Sequence, residues 1–506
     1  MVSITVVWFR RDLRLGDNPA LAMAKSLGKP IICLFNMDSA RIGRPDVDPI
    51  HIQWELDCLQ VLKTDIEAIG GVLLFHFGDV VDKLSEIHQK NSISSIYGNQ
   101  ETGLQWSWDR DKSVSSWCNR EGVRFVEFPT NGVIRKLESR DTWKKERDSR
   151  MEKSAIIPPT EIIPPIGIES DEIPDISDFG LVGRSLINRP DPGEKSAIAT
   201  LQSFLDGRGR NYRRGMSSPI SAQSACSRLS PFISVGCISI RQILHHTKKK
   251  VEAVKRNPRA RENLGWTGSL SSFQSRLAWH CHFIQRLEVE LTLDNVAMNP
   301  EIDLYLNRSM DDSRYQAWSK GKTGWPFFDA CMRSLIATGW INFRMRGMLQ
   351  SVASYTLWLP WQMTGLHLAR SFLDYEPGIH WSQVQMQSGV TGINSIRAYS
   401  ISKQSRDQDP NGDFIRQWVE ELRDVPTSFI HEPWLMDLDQ QKEYGCILDV
   451  DYPRPVVDEK ESRKEGISRS YSAKSKPEVK QRSRLVYKLH GSRKRQRSIG
   501  NRSREV

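Results

Sequence analysis

The chain has 506 residues, 39% of them apolar and 26% charged, which is enough for two or three domains with sizeable cores. No stretch approaches the eighteen or more uncharged apolar residues of a membrane span, and Met1 to Ile4 leads straight into a strand-like run, so the expectation is a soluble, cytoplasmic protein without a signal peptide. The net charge of +10 belongs to one end: residues 453–506 hold 17 Lys and Arg against 6 Asp and Glu, the remainder 54 against 55, so any basic groove in the body must be local.

Residues 4–9 (Ile-Thr-Val-Val-Trp-Phe) form a compact β-branched and aromatic run, followed by the charged turn from Arg10 to Asn18. A helical stretch over 19–27 leads to a second strand-like run at 30–36. A helix over 51–68 precedes a third run at 72–77, and 94–97 and 124–128 supply a fourth and a fifth. Largely apolar strands alternating with helices predict an α/β doubly wound parallel sheet over residues 1–130. Residues 131–194 read as a connector, with Pro, Ile, Asp and Gly frequent from 155 onward and no steady period. From 195 to 440 the pattern is helical throughout, a large all-α domain. Residues 441–506, rich in Ser, Lys and Arg and including Arg493-Lys-Arg-Gln-Arg497, read as a basic and mostly disordered tail. The eight cysteines stand singly, without a Cys-x-x-Cys pair, which fits reduced thiols and gives no metal centre.

Three stretches carry chemistry. Residues 318–346 predict a Gly-containing turn, a helix opened by Trp325-Pro326 and stopped at Gly339, and a second helix bearing Arg344 and Arg346. Phe328, Cys331, Leu335 and Ile336 recur at helical spacing and by themselves predict only a buried face. Ser227-Arg228-Leu229-Ser230 places small hydroxyls beside a guanidinium at a helix start, a combination suited to a pyrophosphate, although Ser there is usually a plain cap. Phe372-Leu-Asp-Tyr-Glu-Pro-Gly-Ile-His-Trp381 adds two acids, Asp374 and Glu376, that could equally face water at a helix end.

Together with Trp8-Phe-Arg-Arg-Asp-Leu-Arg-Leu-Gly-Asp-Asn-Pro-Ala-Leu21 and the block from Arg397 to Pro426, these stretches resemble the photolyase/cryptochrome family over about residues 1–440. The resemblance implies FAD, held by Tyr212, Ser227, Arg228, Leu229, Ser230, Phe273, Arg346, Asp374, Tyr375 and Glu376, with both acids near Arg346. It implies that Arg10, Asp12, Arg14 and Asp17 tie the two domains together. It also implies that Asn18 and the strand ends face a crevice able to hold a second, antenna chromophore, either folate or flavin-like. His380 falls where the family places a residue facing the flavin. Trp318 and Trp361 match the outer and middle members of an electron relay whose inner position is Val384 or a neighbour within Gln383–Gln387 here, so rerouting through Trp325, Trp340, Trp358 or Trp381 stays open.

For the substrate, the resemblance implies DNA with pyrimidine dimers, contacted by Arg276, Trp279, Asn342 and Arg344. Trp279 can stack on a flipped base pair. Arg276 stands where dimer-repairing members carry a carboxylate, and Asn342-Phe343 replaces a paired-histidine arrangement. The expected activity is therefore blue-light DNA repair, a lyase reaction. The rivals are a cryptochrome photoreceptor signalling to a partner through the basic tail and a light-independent nucleic-acid-binding flavoprotein. A monomer is expected.

Overall fold

The computed structural model describes residues 3–491. Five strands, β1 (Ile4–Phe9), β2 (Ile31–Met37), β3 (Leu73–Phe77), β4 (Ile93–Asn99) and β5 (Arg124–Phe128), form one sheet in the order β3-β2-β1-β4-β5 with every pair parallel. The β-branched runs make strands because both faces of the sheet are covered and no polar alternation is needed. On one face, Val6, Trp8, Leu34 and Ile96 pack with Leu84, Ile87, Val114 and Trp117 from the helices Val80–Asn91 and Gln105–Glu121. On the other, Val7, Phe9, Phe35 and Tyr97 share a core with Trp54, Phe204, Tyr212, Phe232 and Phe273, so the sheet and the helical part are joined by continuous apolar packing. The doubly wound sheet followed by a helical remainder agrees with the fold expected from sequence.

The connector is ordered by the sheet's open edge. Ile162 N donates to Ile69 O, Asp171 N to Leu73 O, and Phe75 N to the Asp171 carboxylate, so the segment satisfies the outer side of β3 in place of a sixth strand. It also contains a helix, Trp143–Glu152, that the irregular composition concealed.

The turn after β1 only partly matches its expected role. Asp17 accepts from Arg241 and Ser239, and Arg14 donates to Gly236 O, which does tie the sheet to the helices. Arg10 and Asp12 instead stay within the sheet region, Arg10 pairing with Asp111 and Glu127 and Asp12 accepting from Asn99. Asn18 does not face a crevice: it is 1% exposed and caps the helix Pro19–Ser26, accepting from Leu21 N. Gly236 has φ +80, and a Cβ there would lie 2.1 Å from Arg11 O, so only glycine lets the turn press on β1's end.

The tail differs most from expectation. Residues Glu459–Ser475 and Pro477–His490 are helices, not disordered chain. Their buried positions are few and small: Gly466, Ser470 and Ala473 on the first, Val479, Val486 and His490 on the second. Ala473, Val479 and Val486 join Trp361, Trp381 and Leu287 in one core, and His490 Nε2 meets Glu290 Oε2 at 2.8 Å. Averaged composition hides such a face because the outer positions are Lys, Arg, Glu and Ser. The cluster Arg493–Arg497 lies outside the described residues. Among the described residues no helix is long and apolar enough to cross a membrane, and no group of three or more His, Cys, Asp or Glu could hold a metal ion.

Candidate functional site

The expected hairpin forms as Pro326–Thr338, stopped by Gly339 at φ +68, and Phe343–Ser351. The second helix delivers Arg346, whose Nη1 and Nη2 donate to Asp374 Oδ1 and Oδ2 at 2.9 and 2.8 Å. In this bidentate pair Asp374 is buried and the Arg346 side chain is 25% exposed, and the guanidinium also lies 4.1 Å above the Phe372 ring. Burial would raise the Asp374 carboxyl, but Arg346, Ser230 and Arg228 outweigh it and hold it below the usual carboxylate range.

The loop 226–230 faces this pair. Arg208 clamps it from behind, donating to Cys226 O at 2.6 Å and Ser227 O at 3.3 Å. Arg228 adopts φ +62, a left-handed conformation unusual for a residue with a side chain, and its guanidinium stacks 3.8 Å from the Trp340 ring. Burial pushes Arg228 down to about 10 against the opposing pull of Asp374. Its guanidinium has no hydrogen bond among the described residues. A strained, desolvated cation without an acceptor beside the Ser227 and Ser230 hydroxyls suits a diphosphate. Leu229 is buried behind the loop, while Tyr212 and Phe273 meet edge to face at 5.9 Å and wall the same space.

Tyr375 and Glu376 do not join them. Glu376 Oε2 lies 2.5 Å from Arg11 Nη2, and Tyr375 donates its hydroxyl to Asp46 Oδ2 at 2.9 Å, so both turn toward the sheet region. Of the two expected acids only Asp374 reaches Arg346. Asp374 sits in the turn that follows the helix Trp361–Ser371, whereas the Pro377 that opens the next helix fixes Glu376 as its N-cap.

His380 donates from Nε2 to Gly365 O at 2.9 Å, packed among Phe372, Tyr375 and Trp381. Burial pushes it down to about 4, so it is neutral at ordinary pH. Trp361 and Trp381 pack with ring centroids 6.1 Å apart, which supplies the aromatic neighbour missing at Val384. Trp318 sits apart with Tyr315 and His367, at 6.0 and 5.1 Å.

On the outer side, Trp279 is 40% exposed and lies beneath the Arg276 guanidinium at 4.0 Å, with Phe343 6.4 Å away. The Arg276 guanidinium also lies 5.4 Å from the Phe343 ring, so one cation covers both aromatic faces. Asn342, expected at the DNA surface, is instead 1% exposed and donates to Met216 O and Ser217 O. Its neighbour Phe343, 47% exposed, takes the outward place that sequence reading missed. The signal was present in an aromatic residue at a helix start, where apolar exposure is unusual. Arg344 lies between, with Nη1 3.4 Å from Gln404.

A second cleft, open to solvent, sits at the carboxyl ends of β1, β2 and β4. Phe35, Trp54, Trp106 and Tyr375 line it, among the paired charges Arg11 with Glu376, Arg41 with Glu55 and Arg110 with Glu101. Strand ends of a doubly wound sheet are where such folds bind ligands.

A doubly wound sheet packed on a helical body with an Arg–Asp clamp facing a diphosphate-ready loop defines a two-part flavin-binding protein. Residues 5–147 match the family model described as DNA photolyase, and 273–472 match the FAD binding domain of DNA photolyase. The chain is 28% identical over 492 residues to a deoxyribodipyrimidine photo-lyase of Alkalihalophilus pseudofirmus, covering 92% of this chain and 97% of that one. It is 26% identical over 483 residues to a cryptochrome DASH of Natronomonas pharaonis, covering 90% and 98%. Its fold superimposes on a class III photolyase from Agrobacterium tumefaciens with a TM-score of 0.82, at 24% identity over 94% of this chain and 98% of that one. The chain belongs to the photolyase/cryptochrome family, and FAD is its cofactor.

Proposed function

We propose that this protein uses blue light to repair pyrimidine dimers in DNA. The observation that carries the reading is the exposed wall of Arg276, Trp279 and Phe343, in which one guanidinium lies over both aromatic rings. Aromatic faces stack on extruded bases, and the guanidinium answers the phosphates that come with them. Arg228, with Ser227 and Ser230, holds the cofactor's diphosphate. Tyr212, Leu229 and Phe273 pack beside it, and the Arg346–Asp374 pair fixes charge at its polar edge. Arg344 adds a cation for the DNA backbone. When bound and reduced, FAD supplies the photoexcited electron that splits the cyclobutane ring. The protein's part is to stack, orient and exclude water around it. Neutral His380 adds no charge to that environment.

In this reading residues 1–130 form an antenna domain whose cleft takes a second chromophore. Residues 131–194 connect it to a helical domain over 195–440, extended by the docked helices up to residue 490. The protein acts as an intracellular monomer. The test is to illuminate purified, reduced protein with dimer-containing DNA. Light-dependent restoration of the pyrimidines is expected, and none in a flavin-loaded sample would sink the reading.

The substitution of Arg276 for a carboxylate, with Asn342 turned inward, favours a second reading as a photoreceptor. The basic end of the tail then carries the signal. Deleting the segment from residue 455 would strip core residues, so the informative truncation ends after Gly491 and removes only the basic end. That form should keep FAD but lose a light-dependent partner. Retained partner binding would count against signalling through the basic end.

A further inference from the structure

Two indoles of the helical core are each hydrogen-bonded toward a carboxylate. Trp361 donates its Nε1–H to Asp303 Oδ2 at 3.1 Å. Trp381 donates to the Tyr375 hydroxyl at 3.0 Å, and that hydroxyl donates onward to Asp46 Oδ2 at 2.9 Å, while Asp46 Oδ1 is paired with Arg44 at 3.2 Å. The second chain crosses from the helical body to the sheet region, since Asp46 belongs to the turn before the helix Pro49–Glu67. It ends at the cleft, which Asp46, His51 and Tyr375 line. Aromatic contact is unbroken along the way: His380 lies 5.0 Å from Trp381 and 5.3 Å from Tyr375, and Tyr375 stacks on His51 at 5.6 Å. Phe372 lies 6.0 Å from His380 and 4.1 Å beneath the Arg346 guanidinium, which places this cluster beside the flavin clamp.

We propose that Tyr375 is a proton-coupled electron donor to Trp381, with Asp46 as its proton acceptor. The inference rests on the flavin site and light chemistry proposed above. The oxidant is the bound, oxidised, light-excited flavin, which takes one electron from Trp381. Tyr375 returns one electron to the Trp381 indole and passes its hydroxyl proton to Asp46 Oδ2. The products are a flavin reduced by one electron, a restored Trp381, a neutral phenoxyl radical on Tyr375 and a protonated Asp46 carboxyl, so one electron and one proton are each accounted for. An oxidised phenol is a strong acid, and a tyrosine can give up its electron readily only where a base already holds its hydrogen bond. Asp46 is such a base. Burial and the neighbouring Asp46 raise the phenol well above its ordinary range, so Tyr375 starts protonated and the proton moves only with the electron. Trp361 with Asp303 offers a parallel exit that would leave the radical on an indole.

The experiment illuminates FAD-loaded full-length protein, freezes it, and records the electron paramagnetic resonance spectrum of the protein radical, with tyrosine deuterated in a second sample. The expected result is a neutral phenoxyl signal whose hyperfine pattern collapses on tyrosine deuteration. The signal should be lost in Tyr375→Phe and in Asp46→Asn, leaving only an indole signal. It should persist in Trp361→Phe. The visible flavin spectrum of each variant shows that the cofactor is in place, and the deuterated wild type needs no substitution at all. Indole radicals alone in the wild type, or a phenoxyl signal that survives Tyr375→Phe, would overturn the proposal. A flavin-loaded wild type with no photoreduction of any kind would remove the light-driven reading and the relay with it.

Discussion

Asp374 and Trp279 sit at opposite ends of the residue-scale argument. Asp374 is buried and doubly bonded to Arg346, with Arg228 close by, so Asp374→Asn leaves two largely desolvated cations without their carboxylate. Removing the buried member of a partly buried pair costs about 1–3 kcal/mol. Denaturant unfolding of D374N should show that loss, with a lower flavin-to-protein ratio after purification; unchanged stability and stoichiometry would mean the pair is incidental. Trp279, by contrast, is exposed and free to change without disturbing the core. Base stacking on an aromatic is worth roughly 1–3 kcal/mol, so Trp279→Ala should weaken binding to dimer-containing DNA by about tenfold to a hundredfold while leaving the flavin spectrum intact. Titration of labelled damaged and undamaged duplexes checks this, and equal loss on both would argue for general rather than lesion-directed contact. Both residues were legible in the sequence as family positions. The directions of Glu376 and Asn342 were not, because a side chain's partner three hundred residues away, such as Arg11, leaves no local trace.

At the scale of elements, strands and the flavin hairpin were readable because their signals are local: β-branched runs, Pro at a first helical position and Gly at φ +68 after the last. The C-terminal helices were not, since a narrow stripe of Gly, Ser and Ala carries no hydrophobic period and the decisive fact is the surface it meets. Gly466 marks that contact. A Cβ at this position would stand 2.0 Å from Tyr355 O, within the π-helical turn Val352–Thr356, so backbone meets backbone there and nothing flexible can yield. Overpacking of this kind costs about 1–3 kcal/mol or more. Gly466→Val should therefore lift the helix Glu459–Ser475 off the body, seen as a lower melting temperature and as new protease cutting around residues 475–477. Resistance equal to the wild type would show that the two helices are held by their second half, through Val479, Val486 and His490.

For the whole molecule, five histidines set the response to acid, His51 and His380 buried and His280, His282 and His367 partly buried. Burial pushes His51, His280, His367 and His380 down to about 4 and His282 to about 2, so all five are neutral in the folded protein across the mildly acidic range. In the unfolded chain each takes a proton near pH 6.5. Between about pH 6.5 and pH 4 the unfolded state thus binds protons that the native state does not, and stability falls as pH falls. A pKa difference of that size is worth on the order of 3 kcal/mol per histidine once both values are crossed. Asp374 adds in the same direction but later, because its depressed carboxyl contributes stability that is lost only as pH drops through its folded-state value, below the usual carboxylate range. The expected outcome is cooperative acid unfolding with a midpoint above about pH 4, followed by circular dichroism, with flavin release coincident or earlier. Replacing His380, whose side chain makes one hydrogen bond among the described residues, from Nε2 to Gly365 O, by Gln should keep that donor, remove one titrating group and move the midpoint to lower pH. A midpoint that stays in place would assign the acid sensitivity to the other four histidines and leave His380 a neutral spacer in the aromatic cluster.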